Sequence, residues 1–116
     1  TEEEAKRLSA SRNLAKLKTA LGRREGVPPV EDALAYPYSV DESAYVRQFS
    51  QYYIDGDPQQ VKQGLDSISQ TYQTCDLSVV TICYDFDARV RSYELIAEVC
   101  GLKEQCQEKL SFDTLE

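Results

Sequence analysis

Apolar positions recur at helical spacing through the first twenty residues. Leu8, Leu14, Leu17 and Leu21 fall largely on one side of such a helix, with Lys6, Arg7, Arg12, Lys16 and Lys18 elsewhere. Thr1-Glu2-Glu3-Glu4 has the form of a capping box, with acids in the first turn to meet the helix dipole. Gly22 stands where a terminating glycine belongs, so the pattern predicts a helix over about 2–21. From Arg23 to Tyr38 the period is lost. Gly26-Val27-Pro28-Pro29 cannot continue a helix, and Tyr36-Pro37-Tyr38 is held extended before its proline, leaving one short turn over 30–35. Ser39-Val40-Asp41-Glu42 is a second capping box, opening a short helix with Tyr45, Val46 and Phe49 as its apolar face.

The period then changes. Gln51 to Asp55 reads as a short strand ended by Gly56, and Asp57-Pro58 supplies an N-cap with proline in the first helical position. A helix over about 58–73 is expected to bury Val61, Leu65, Ile68 and Tyr72. Leu77 to Cys83 is nearly continuous in apolar and β-branched residues, the pattern of a strand covered on both faces. Asp85 caps a further helix carrying Phe86, Val90, Tyr93, Ile96, Ala97 and Cys100, closed by Gly101; the tail to Glu116 adds a marginal turn. Strands alternating with helices predict an α/β protein with a parallel sheet. Two strands alone leave their edges unpaired and bury too little surface to stand by themselves. The chain is therefore expected to be the closing units of something larger, and to self-associate through its unpaired strands.

Composition narrows the partners. The 116 residues suit one domain, and 13 basic against 20 acidic residues leave a net charge of −7. That balance disfavours nucleic acid and anionic membranes alike. No apolar run approaches a bilayer span and no basic-then-apolar leader opens the chain, so a soluble protein is expected. The absence of any Met hints at an excised piece. Cys75, Cys83, Cys100 and Cys106 include no C-x-x-C pair, and there is no His, so no metal site is expected. Reduced, buried thiols in the cytoplasm are the simplest reading; a disulfide between Cys100 and Cys106, or one using Cys75, is the alternative.

Four residues stand where chemistry could occur. Gly56 and Asp57 lie at a strand-to-helix turn, where backbone N–H groups meet anions or simply cap the helix. Cys83 and Tyr84 end the second strand; a thiol and a ring there could face a cofactor, or pack as core and surface. Arg89 and Arg91 suit a solvated helix face. The tyrosines at 36, 38, 45, 52 and 53 could cover a pocket or partner, or pack the long loop down. Without His or a nucleophile elbow, no catalytic residue can be named.

Three segments add a resemblance. Val30-Glu31-Asp32-Ala33-Leu34-Ala35-Tyr36-Pro37-Tyr38, Gly56-Asp57-Pro58-Gln59-Gln60-Val61 and Asp85 through Ala97 (DFDARVRSYELIA) occur in that order. Together they resemble segments of bacterial luciferase-like, flavin-dependent monooxygenases of the alkanal monooxygenase type. The resemblance implies the C-terminal portion of a (β/α)8 TIM barrel, with two parallel strands and about four helices. Residues 51–55 would be strand seven, 58–73 helix seven, 77–83 strand eight and 86–100 helix eight. Residues 1–50 would supply a helix, a lid-like loop and a short helix, and 103–116 a tail. It also implies reduced FMN and O2 acting on an aldehyde or other organic substrate. Gly56, Asp57, Cys83 and Tyr84 become cofactor-binding candidates, Tyr84 standing where many of those enzymes have His. Because most of such a barrel has no counterpart here, the chain is expected to be inactive and cofactor-free alone. The other reading is a truncated relative serving as a non-enzymatic binding or interaction module.

Overall fold

The computed structural model describes residues 1–102, in five helices: α1 (Glu2–Ala20), α2 (Val30–Ala35), α3 (Val40–Ser50), α4 (Pro58–Tyr72) and α5 (Phe86–Val99). Local chemistry sets their ends where the sequence marks them. Thr1 Oγ1 accepts the Glu4 N–H at 3.2 Å, and Lys6 reaches back to Glu2 at 2.9 Å. At the other end of α1, Arg23 N–H reaches the Lys18 carbonyl and Gly22 N–H that of Thr19, a Schellman closure with Gly22 at φ +81°. Capping boxes open α3 through Ser39 and Glu42, and α4 through Asp57 and Gln60. Asp85 caps α5 by accepting the Ala88 N–H at 3.1 Å. Gln73 ends α4 in the left-handed region at φ +51°, a place that glycine usually takes.

α1 holds the fold together because it is apolar on two opposite sides. At about 100° per residue, Ala10, Leu14 and Leu17 form one stripe, and Ala5, Leu8 and Arg12 another roughly half a turn away. The first stripe meets α2 and α3. Leu14, Leu17, Val30, Ala33 and Phe49 are buried there, with Tyr36, Tyr38 and Val46 packed around them. The tyrosines of the long loop thus seal this core: the Tyr36 and Tyr38 rings meet edge to face at 4.9 Å, and the Tyr36 hydroxyl donates to Glu42 at 2.9 Å. Ser11 is fully buried beside this cluster, and its hydroxyl finds no hydrogen-bond partner among the described residues.

The expected α/β architecture is corrected here. The described residues contain helices and no strand, so the two parallel strands and the barrel end do not form. Residues 51–55 are a turn and an irregular stretch, and 77–83 are irregular throughout. The physical reason is that a strand is a pairing, not a property of a segment. β-branched composition favours extended backbone at 77–83, but no backbone ladder meets it from any described residue. The half-buried face expected from Leu77 to Cys83 is accordingly open, with Leu77, Val80 and Ile82 exposed. Expectations for 103–116, Cys106 and any disulfide to it lie outside the described residues; Cys75, Cys83 and Cys100 are free thiols.

Candidate functional site

The second stripe of α1 faces a cleft of about 490 Å³. Its walls are the apolar faces of α4 and α5, with Val61, Leu65 and Ile68 on one side and Leu95 and Ile96 on the other. Residues 52–56 and 78–83 complete the rim. None of the α4 or α5 side chains is fully buried, although both helices are patterned to bury a face. Gly64 allows the irregular stretch to lie against α4: a Cβ there would stand 2.8 Å from Ile54 Cγ2.

Arg12 forms the floor of the cleft. Its guanidinium clasps Asp55 through two bonds of 2.7 Å, and Nε and Nη2 also donate to Asn13 Oδ1. The Tyr53 ring lies 4.0 Å from the guanidinium carbon. The Arg12 side chain is 8% exposed and that of Asp55 29%, so this pair is screened far less than a surface ion pair. Four of the five guanidinium N–H groups are already engaged. Arg12 therefore fastens residues 53–55 to α1 rather than offering itself to a ligand. Lys16 adds a second tie, donating to the Tyr53 hydroxyl at 2.9 Å.

Sequence reasoning set Arg12 among the solvated cations of α1 and missed this role. The signal available was its place one turn beyond Leu8 on the Ala5 stripe, together with a single acid closing the Tyr52-Tyr53-Ile54 run. Of the four expected cofactor-binding residues, Gly56 and Cys83 line the cleft. Asp57 is spent on the α4 capping box, and Tyr84 is 54% exposed outside the cleft lining. Cys83 Sγ contacts the Asp85 carbonyl at 3.5 Å; burial pushes its thiol pKa up, partly opposed by Arg89, which keeps the proton on sulfur at neutral pH. Arg91 pairs with Glu94 and Glu98, and Arg89 lies over the Phe86 ring, so both serve the outer face of α5. Among the described residues no helix is long and apolar enough to cross a membrane.

An open apolar cleft in a small helical chain raises the question of what else is built this way. Two Bacillus proteins are similar to it. The uncharacterized protein YceB of Bacillus subtilis (strain 168) is 33% identical over 99 residues, covering 85% of this chain and 30% of YceB. The uncharacterized protein YwcH of the same strain is 35% identical over 99 residues, covering 84% of this chain and 30% of YwcH. The chain thus spans about 30% of the length of the curated relatives it matches. No protein-family model matches the sequence, and no solved structure matches it. Neither YceB nor YwcH carries a luciferase or monooxygenase name. With no strand among the described residues, the luciferase-like assignment, with the monooxygenase, flavoprotein and TIM-barrel descriptions that came with it, is corrected and not carried further.

Proposed function

We propose that this chain is a non-enzymatic interaction module whose C-terminal half, from residue 54 to 102, docks further polypeptide in the cleft and along residues 77–83. The observation that carries this is the mismatch between patterning and burial in α4 and α5. Both helices present apolar faces, yet neither contains a buried side chain. Burial of a Leu or Ile side chain is worth about 1.5–3 kcal/mol, so these faces retain most of their capacity to stabilise a contact. The cleft also holds no ready chemistry: Arg12 is tied to Asp55 and the Cys83 thiol keeps its proton. Relatives more than three times as long supply a precedent for further polypeptide beside such a segment. Free thiols at Cys75, Cys83 and Cys100 support a reducing, cytoplasmic setting. Reduced FMN and an aldehyde, which rested on the resemblance, form no part of this proposal.

The test uses the full chain at a dilution where light scattering reports a monomer. Anilinonaphthalene sulfonate should bind and fluoresce, and the amides of residues 78–82 should exchange quickly. An unresponsive dye together with slow exchange over 78–82 in the monomer would show the surface already closed and would overturn the reading.

A further inference from the structure

Along residues 78–83 exposure alternates. Val79, Thr81 and Cys83 are half-buried, whereas Ser78, Val80 and Ile82 are exposed, Val80 to 79%. A period of two is the signature of extended backbone. Thr81 anchors the stretch to α5: its N–H donates to the Tyr93 hydroxyl at 2.9 Å, and its hydroxyl lies 3.3 Å from that of Ser92. In extended backbone the N–H and C=O of one residue point to the same edge, and alternate residues share that edge. With Thr81 turned to α5, the N–H and C=O groups of Ser78, Val80 and Ile82 point away from it. No described residue bonds to them.

Resting on the docking function above, we propose that this edge pairs with the same edge of a second copy of the chain, antiparallel and two-fold symmetric about Val80. In that register Val80 exchanges both backbone bonds with its own counterpart, and Ser78 does so with Ile82. The choice of occupant comes from charge. Leu77 to Cys83 carries none, and the register sets Asp76 opposite Tyr84. Moving one residue along would bring Asp76 opposite Asp85, and centring on Asp76 would oppose two copies of it. Like charges directly across an antiparallel pair destabilise it, so the flanking acids select the Val80-centred register. The pairing also gives exposed Val80 and Ile82 cross-strand neighbours.

Sedimentation velocity on the full chain from micromolar to millimolar concentration tests this. A monomer–dimer equilibrium is expected, with the amides of Val80 and Ile82 slowed on dimerisation and that of Val79 unchanged. Val80→Lys, which sets two ammonium groups across the axis, should raise the dissociation constant at least about tenfold, while Val80→Thr should leave it within about threefold. Val80 is exposed, so far-UV circular dichroism of both variants should match the parent. A chain that stays monomeric at millimolar concentration would overturn self-pairing, and if the dye still binds, the docking function stands with another partner. A dimer unmoved by Val80→Lys, or one protecting Val79 in place of Val80, would place the interface elsewhere and also overturn the proposal.

Discussion

The halves of the molecule spend similar sequence resources to different ends. α1, α2 and α3 close around Leu14, Leu17 and Ala33, which are at most 3% exposed, and the loop tyrosines cover what remains. α4 and α5 are better capped and no less apolar on one face, yet they bury nothing completely. The difference is the number of sides from which each element is covered. α1 is met on one stripe by α2 and α3 and on the other by the Arg12–Asp55 tie, whereas α4 and α5 meet mainly each other. Capping and periodicity make a helix; only a second and third neighbour make a core.

That contrast gives substitutions of graded effect. Leu14→Ala should be the most damaging, removing about 2–5 kcal/mol because the site is enclosed and cannot collapse. Leu65→Ala in α4, already half in water, should cost about 1 kcal/mol, and equal losses in urea titrations would erase the distinction drawn between the halves. Asp55→Asn should come next at about 2–3 kcal/mol. It leaves the Arg12 charge under the Tyr53 ring without its partner and frees residues 53–55 from α1. Its expected mark is faster amide exchange over 53–56 with little change in the Leu14 cluster. A smaller gain of about 1 kcal/mol should follow Gln73→Gly, which removes the left-handed strain at the end of α4. Thermal unfolding would show it, and an unchanged midpoint would mean the turn is not held as described.

The smallest effect is acid sensitivity at the start of α3. The Ser39 N–H, and then the Tyr36 hydroxyl, hold the Glu42 carboxyl below its ordinary value of 4.5. A carboxyl lowered in the folded state stabilises it above the ordinary value, and that contribution is lost as the pH falls through the lowered one. Helical circular dichroism should therefore decline slightly on acidification, and Glu42→Gln, which retains a capping-box acceptor, should flatten that decline.

Helices were legible in the sequence because their instructions are local. Thr1, Ser39, Asp57 and Asp85 cap where the spacing placed them, and Gly22 and Gly101 close with positive φ. The strands were not, since Leu77 to Cys83 carries the composition of a strand but the partner that would make it one is not in the same stretch of sequence. The luciferase-like reading failed with them, because it turned those two segments into sheet. Arg12 was hidden by a different cause: its type says surface, and only its position on the second α1 stripe says otherwise. Gly56 and Cys83 were rightly placed beside one another in the cleft, whereas Asp57 and Tyr84 were read as available when the first is a cap and the second faces solvent.

The central claim is that one half of this chain is finished and the other awaits polypeptide. Residue-resolved hydrogen exchange on the dilute, monomeric chain tests it most directly. Amides around Leu14 and Leu17 should exchange only through global unfolding, while those of α4, α5 and residues 78–82 should open far more readily. Uniform protection across both halves, rising and falling together with denaturant, would contradict it.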